Sequence, residues 1–211
     1  MKLLELFSGT GSVGRAFASA GWDVTSLDSD PKTDATIHED ILTWDHTAYP
    51  PGHFDAIWAS PDCTQYSCAR RGAKTPRNLA LADSLVRRSQ EIIHYFNPPA
   101  WFIENPQTGL LKQQAIMSDI PYVDVDYCKY GMQYRKRTRL WNNIDEWIPR
   151  RLCKRDCDSM DATGKRHKEV AQRGSTQGQP NNRHKQAELY VVPFSLVREI
   201  LVKLFIIDLA G

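Results

Sequence analysis

The chain opens on a short apolar run, Leu3-Leu4-Glu5-Leu6, that stops at Phe7-Ser8-Gly9-Thr10-Gly11. Such a run closed by glycines reads as a buried strand and a tight turn. Ser12 to Ala20 has helix-compatible composition, and Asp23 to Leu27 makes a second strand ending on Asp28. Ala35 to Ile41 reads as a short third strand leading to Asp40-Ile41, followed by a polar loop with prolines through Gly52. Phe54 to Ala59 is a fourth strand ending on Ser60-Pro61-Asp62-Cys63-Thr64. Residues 65–78 are polar and basic without an apolar period and read as a mobile loop. Leu79, Leu81, Leu85, Ile92, Ile93 and Phe96 then recur near helical spacing, which predicts a helix over 79–96. Ala100 to Ile103 is a fifth strand ending on Glu104-Asn105-Pro106. Residues 121–128 and 137–142 read as further strands joined near Tyr130-Gly131. After a polar segment over 143–186, Val191 to Leu209 closes the chain with a helix. It starts near Pro193 and is apolar at Leu196, Ile200, Leu201 and Leu204.

Strands alternating with helices predict an α/β fold, a mostly parallel sheet with helices on both faces. In that architecture ligands bind beyond the carboxyl ends of the strands. The 211 residues fit one domain with a real core,. The expected division is a catalytic part over 1–142, a small basic segment over 143–188, and a C-terminal helix over 189–211 that completes the first part. No stretch of about 18 apolar residues is present and no leader is read at the N-terminus. No membrane association is therefore expected. Five cysteines, an odd number in an intracellular-looking chain, argue against a disulfide framework,. The short organisation of the chain is compatible with a bacterial or phage origin, so the expected location is the cytoplasm of a bacterial or phage-infected cell.

The net charge of +2 conceals an asymmetry. Residues 1–134 hold 11 Lys and Arg against 16 Asp and Glu, whereas residues 135–185 hold 14 against 6. A basic third beside an acidic remainder points to a polyanionic partner met by one face; a solvated basic loop is the plainer reading.

The chemistry collects at the predicted strand ends. Gly9, Gly11 and Gly14 follow G-x-G-x-x-G spacing between strand and helix, which makes a cradle for a nucleotide-containing cofactor. Asp28, about twenty residues on, suits the ribose hydroxyls of such a cofactor. Cys63 and Glu104 end two other strands and would face the same crevice. A thiol with a carboxyl suits attack on an electron-poor ring, in which the thiolate adds and the acid protonates a ring nitrogen.

With these residues in view, the chain resembles the DNA (cytosine-5) methyltransferases over most of its length. Leu6-Phe7-Ser8-Gly9-Thr10-Gly11 resembles the motif that holds S-adenosylmethionine, and Ser60-Pro61-Asp62-Cys63 the catalytic loop. Glu104-Asn105-Pro106 resembles the glutamate motif and Arg135-Lys136-Arg137-Thr138-Arg139 the arginine motif; Tyr190 to Leu204 weakly resembles the closing motif. The resemblance implies a Rossmann-like class I methyltransferase fold with a small basic recognition insert, acting on double-stranded DNA as a monomer. It implies Cys63 as nucleophile at cytosine C6, Glu104 at N3, and Arg137 and Arg139 orienting the base and Glu104. For the cofactor, S-adenosylmethionine, it implies Phe7, Ser8, Gly9, Thr10, Gly11, Asp28, Asp40, Ile41 and Pro61. The base must leave the stack, because C5 and C6 are out of reach inside a duplex.

Two positions depart from the family pattern. Asp62 stands where proline usually precedes the nucleophile, and Thr64 where glutamine often follows. Asp62 removes a backbone restraint, and its charge should disfavour the Cys63 thiolate. Other specificities stay in view: an RNA-directed enzyme, an exocyclic-amine methyltransferase, and a catalytically impaired nucleic-acid-binding relative. Cys153 and Cys157, with His167 or His184, are weak zinc candidates; free cysteines in a basic loop are the reading adopted, with no metal assigned. The short segment before the closing helix, rich in Lys and Arg with Gly, Ser, Gln and Asn near 172–182, predicts recognition of about two to three bases, or little preference beyond the cytosine.

Overall fold

The computed structural model describes residues 1–145, 147–172 and 184–208, the last three by backbone alone. Six strands form one sheet: β1 (Lys2–Leu6), β2 (Asp23–Leu27), β3 (Ala56–Ala59), β4 (Ala100–Pro106), β5 (Tyr122–Asp126) and β6 (Arg137–Asn142). Their order is β2-β1-β3-β4-β6-β5. The pairs β1–β2, β1–β3 and β3–β4 are parallel, and β6 runs antiparallel between β4 and β5. The chain leaves β1 for β2 on one side and returns to β3 on the other. A crevice opens at such a switch point, beyond the carboxyl ends of the strands.

The helices are α1 (Ser12–Ser19), α2 (Leu79–Phe96), α3 (Gln186–Tyr190) and α4 (Phe194–Asp208). Alternation along the strands sorts their side chains between two helical layers. Leu3, Trp58, Phe102 and Leu140 pack with Val13 and Phe17 of α1 and with Leu196, Val197 and Ile200 of α4. Leu4, Leu6, Ile57, Ile103 and Trp141 pack on the other face with Ala82, Val86, Ile93 and Phe96 of α2. The Val192 N–H donates to Ser12 Oγ at 3.0 Å, so the closing segment docks at the start of α1. The end of the expected helix at Leu209, and residues 173–182 of the polar stretch, lie outside the described residues.

The expected third strand over 35–41 is absent. A single parallel bridge, Leu27 to Ile37, is all that pairs with β2 there. The Ser26 N–H donates to Thr36 Oγ1 at 2.7 Å, so a side chain takes the place of a ladder carbonyl. Residues 65–78 also contain more order than expected. Cys68–Gly72 is a 3₁₀ helix, and Tyr66 is fully buried with its hydroxyl donating to Asp83 of α2 at 2.7 Å.

Glu5 is the exception within the first apolar run, at 3% exposure. Its Oε2 accepts the Gly14 N–H at 3.0 Å, and a Cβ at position 14 would run into that carboxylate. Glycine at position 14 thus serves close approach rather than backbone angle, since a larger residue would displace the Glu5 carboxylate,. Burial pushes the Glu5 carboxyl from 4.5 up to about 7, partly offset by the Gly14 hydrogen bond and the Arg15 charge. Between those values the folded chain keeps a proton that the unfolded chain has released. This group's contribution is therefore most favourable below pH 4.5 and is lost as pH rises towards 7. Glu5→Gln keeps an acceptor for Gly14 but removes the charge. Urea unfolding at pH 5 and pH 8 should show the variant gaining stability over the parent by up to about 3 kcal/mol at the higher pH. An equal difference at both pH values would rule Glu5 out as the source.

Candidate active site

β1, β2, β3 and β4 deliver their carboxyl ends to one cleft. It has a volume of about 250 Å³ and its walls include Phe7, Ser8, Gly9, Thr10, Asp28, Pro61, Cys63 and Glu104. Glu5 of β1, Asp62, Lys136, Tyr190 and Val192 also line it.

The glycine turn is a run of left-handed backbone at Phe7, Gly9 and Gly11, with φ of 57°, 48° and 63°. Asp28 holds this turn in place. Its Oδ2 accepts the Gly9 N–H at 2.8 Å and its Oδ1 the Asp30 N–H at 2.9 Å. Ser8 Oγ is buried without a hydrogen-bond partner among the described residues, so one polar atom of the cradle is open to a bound molecule. Asp40 and Ile41 are not part of the lining. Asp40 Oδ1 accepts the Leu42 N–H at 3.0 Å and starts a turn, while Ile41 enters the core under α2. Arg88 of α2 grips that turn through the carbonyls of Ile41 and Trp44.

The Cys63 loop leaves β3 under restraint. The Asn105 Nδ2 donates to the Pro61 carbonyl at 2.9 Å, a buried bond that ties the loop to the end of β4. Asp62 does not release the loop. Its Oδ1 accepts both the Thr64 N–H at 2.9 Å and the Thr64 hydroxyl at 2.6 Å, a local turn that stands in for the restraint of a proline. The Cys63 thiol is pushed up to about 11, first by burial and then by the Glu104 charge; Lys136 opposes this, and Asp62 adds only a lesser share. Asp62 thus disfavours the thiolate in the expected direction but ranks behind burial and Glu104, because its carboxylate is exposed and turned onto Thr64.

Glu104 is 7% exposed. Its Oε1 accepts the Tyr127 hydroxyl at 3.2 Å and has Lys136 Nζ at 3.7 Å. Lys136 also donates to the Leu189 carbonyl at 2.9 Å and lies 5.0 Å over the Tyr127 ring. The expected arginines do not reach this carboxylate. Arg137 makes two bonds to Asp126, at 3.0 and 2.7 Å, and Arg139 two to Asp124, at 2.8 and 3.0 Å. Arg139 also stacks on Tyr122, 3.5 Å from the ring centre. The reason is strand parity. Glu104 is level with Leu140, whose side chain lies in the α1–α4 layer, and Lys136 shares that parity whereas Arg137 and Arg139 do not. Lys136 and Tyr127 are the residues that sequence reasoning missed. The signal was the pairing of Asp-x-Asp in β5 with Arg-x-Arg in β6, which leaves only the lysine for the other face.

No helix among the described residues is long and apolar enough to cross a membrane. No family model matches the chain. The chain is 38% identical over 175 residues to a protein of Frog virus 3 (isolate Goorha) named "Probable DNA (cytosine-5)-methyltransferase", an alignment spanning 76% of this chain and 79% of that one. Among solved structures, a candidate DNA modification methyltransferase encoded within an E. coli prophage is similar in fold. It has a TM-score of 0.52 at 17% identity, covering 72% of this chain and 52% of that one. The S. pombe Dnmt2 methyltransferase follows with a TM-score of 0.49 at 16% identity, covering 70% and 52%. The chain thus spans about half the length of those two structures. With the viral relative matched over most of both lengths, the chain belongs to the DNA (cytosine-5)-methyltransferase family.

Proposed function

We propose that the chain methylates carbon 5 of cytosine in DNA with S-adenosylmethionine as methyl donor. The observation that carries this reading is the meeting of the glycine cradle, Cys63 and Glu104 in one cleft. The cradle fits the cofactor in three respects: left-handed backbone admitting a close ligand, the unpartnered Ser8 Oγ, and Asp28 at the end of β2. Ser8, Gly9, Thr10, Asp28 and Pro61 would hold it. When bound, S-adenosylmethionine supplies the electrophilic methyl group that carbon 5 takes up.

The chain's own residues do the rest. The Cys63 thiolate forms a bond to C6 of a cytosine turned out of the helix, pushing electron density to C5. Glu104 has Oε1 engaged by Tyr127 and Lys136, which leaves Oε2 for N3, where the acid form donates a proton and offsets the developing charge. Loss of the C5 proton to solvent after methylation re-forms the C5–C6 double bond and expels Cys63 as thiolate, and N3 returns its proton to Glu104. An exocyclic-amine methyltransferase has no use for this thiol.

The adduct is directly testable. DNA carrying 5-fluorocytosine at the target lacks the departing proton, so the Cys63 bond should survive denaturing electrophoresis when S-adenosylmethionine is present. Cys63→Ser should abolish the adduct and lower turnover by at least about 10³-fold, while Cys68→Ser should retain both. A normal adduct in Cys63→Ser would remove Cys63 from the mechanism.

The electrostatics around the thiol generate a second expectation. Glu104→Gln should lower the pH at which iodoacetamide alkylates Cys63 half-maximally, because a negative neighbour is gone; Lys136→Met should raise it. Asp62→Asn should shift it less than Glu104→Gln. A larger shift from Asp62→Asn would contradict this ranking of the two carboxylates.

Target choice is the third. Residues 147–172 hold no helix and no strand beyond the Met160–His167 bridge. Basic side chains there offer phosphate contacts, which carry affinity but not sequence. Bisulfite sequencing of methylated DNA should show a site of about two to three bases, at one well-placed contact each. Modification confined to four or more defined base pairs would contradict this.

A further inference from the structure

Away from the cleft, three cysteines and a histidine with no part in the chemistry above converge. Cys128 follows β5 directly, and Cys153, Cys157 and His167 come from the basic segment after β6. One ligand atom from each lies within 4.8 Å of all the others. Cys153 Sγ and His167 Nε2 are 3.5 Å apart. Around tetrahedral zinc, with bonds of about 2.3 Å to sulfur and about 2.0 Å to nitrogen, neighbouring ligand atoms sit roughly 3.5–3.8 Å apart.

We propose that Cys128, Cys153, Cys157 and His167 bind one zinc ion that fastens the basic segment to the catalytic sheet. The donor set is soft and nitrogen-containing, which suits zinc and disfavours calcium or magnesium. Four protein ligands close the coordination shell, so the ion is structural. A single disulfide would use two of the three thiols and leave the third and His167 unexplained.

Two further observations support the site. The Arg155 N–H donates to Cys153 Sγ at 3.3 Å, and the Cys153 N–H donates to Asp126 Oδ2 at 2.9 Å. Backbone and carboxylate thereby orient the first ligand, as the surroundings of metal ligands do. The segment also lacks a core: over the described residues 148–172, Cys153 is the one apolar residue counted as buried. A stretch so poor in burial needs a staple to hold one conformation. Cys128 is adjacent to Tyr127, whose hydroxyl donates to Glu104, so the ion anchors the segment against the wall of the cleft.

The test is elemental analysis of the full chain, purified under reducing conditions from zinc-supplemented medium. About one zinc per chain is expected, retained in Cys68→Ser and reduced at least tenfold in Cys157→Ser. Because Cys157→Ser can fail to fold, cobalt(II) exchange of the parent protein supplies a second readout. Intense visible absorption from tetrahedral thiolate coordination is expected, and His167→Cys should bind one cobalt with a shifted spectrum. Less than about a tenth of a zinc per chain with no cobalt band would overturn the proposal. So would a disulfide joining two of Cys128, Cys153 and Cys157 in protein whose thiols were blocked at lysis.

Discussion

The cleft depends on one buried hydrogen bond, from the Asn105 carboxamide to the Pro61 carbonyl at 2.9 Å. The parallel register sets Ala59 of β3 beside Ile103 of β4, which brings the two strand ends side by side. Asn105 is fully buried, and leaving its amide or the facing carbonyl without a partner would cost on the order of 1–3 kcal/mol. The bond therefore dictates the path of the chain beyond β3. Cys63, two residues on, and Glu104, one residue back, reach a common space because of it. The turn at Asp62 and the anchoring of Tyr66 against Asp83 carry the same constraint further along the loop.

The basic run that leads into β6, Lys136 to Arg139, divides its positive charge between two purposes. Arg137 and Arg139 neutralise Asp126 and Asp124 on one face. Asp126 is 1% exposed, so a cation beside it is a condition for folding rather than an optional gain; a buried charge stripped of its partner is strongly destabilising. The pairs also hold β5 and β6 in register, since each joins residues directly opposite in the ladder. Lys136 faces the other way, towards Glu104 and Tyr127. The two functions cannot be exchanged by a conservative substitution, because each depends on which face of the strand the residue occupies.

Burial tunes Glu5 and Cys63, both in the walls of the cleft, in one direction. Glu5 and Cys63 are both pushed up by desolvation, to about 7 and about 11. Each sits in a wall built from apolar strand residues, so its charged form loses water without full replacement. Gly14 gives Glu5 one hydrogen bond, and Lys136 gives Cys63 a nearby positive charge.

Much of the architecture was legible locally. The limits of α2 coincide with the predicted helix because both stop signals are in the sequence. Asn78 caps the start by accepting the Leu81 N–H at 3.1 Å, and Asn97 takes the left-handed conformation at the end. The glycine turn, β2 and the strand ends at Cys63 and Glu104 were readable for the same reason: their patterns are complete within a few residues. What escaped involved partners distant in sequence. The segment over 35–41 has strand-like composition, but Thr36 intrudes on the ladder once it meets β2. Lys136 rather than Arg137 or Arg139 meets Glu104 because the β4–β6 register decides the facing side. Cys128 joins Cys153, Cys157 and His167 only through folding of the segment back onto β5. Local sequence determined the limits of α2 and the glycine turn, since turn, cap and periodicity act over one or two turns of chain. The tertiary structure decided which side chains meet, because that is set by sheet register and by burial, which no short stretch contains.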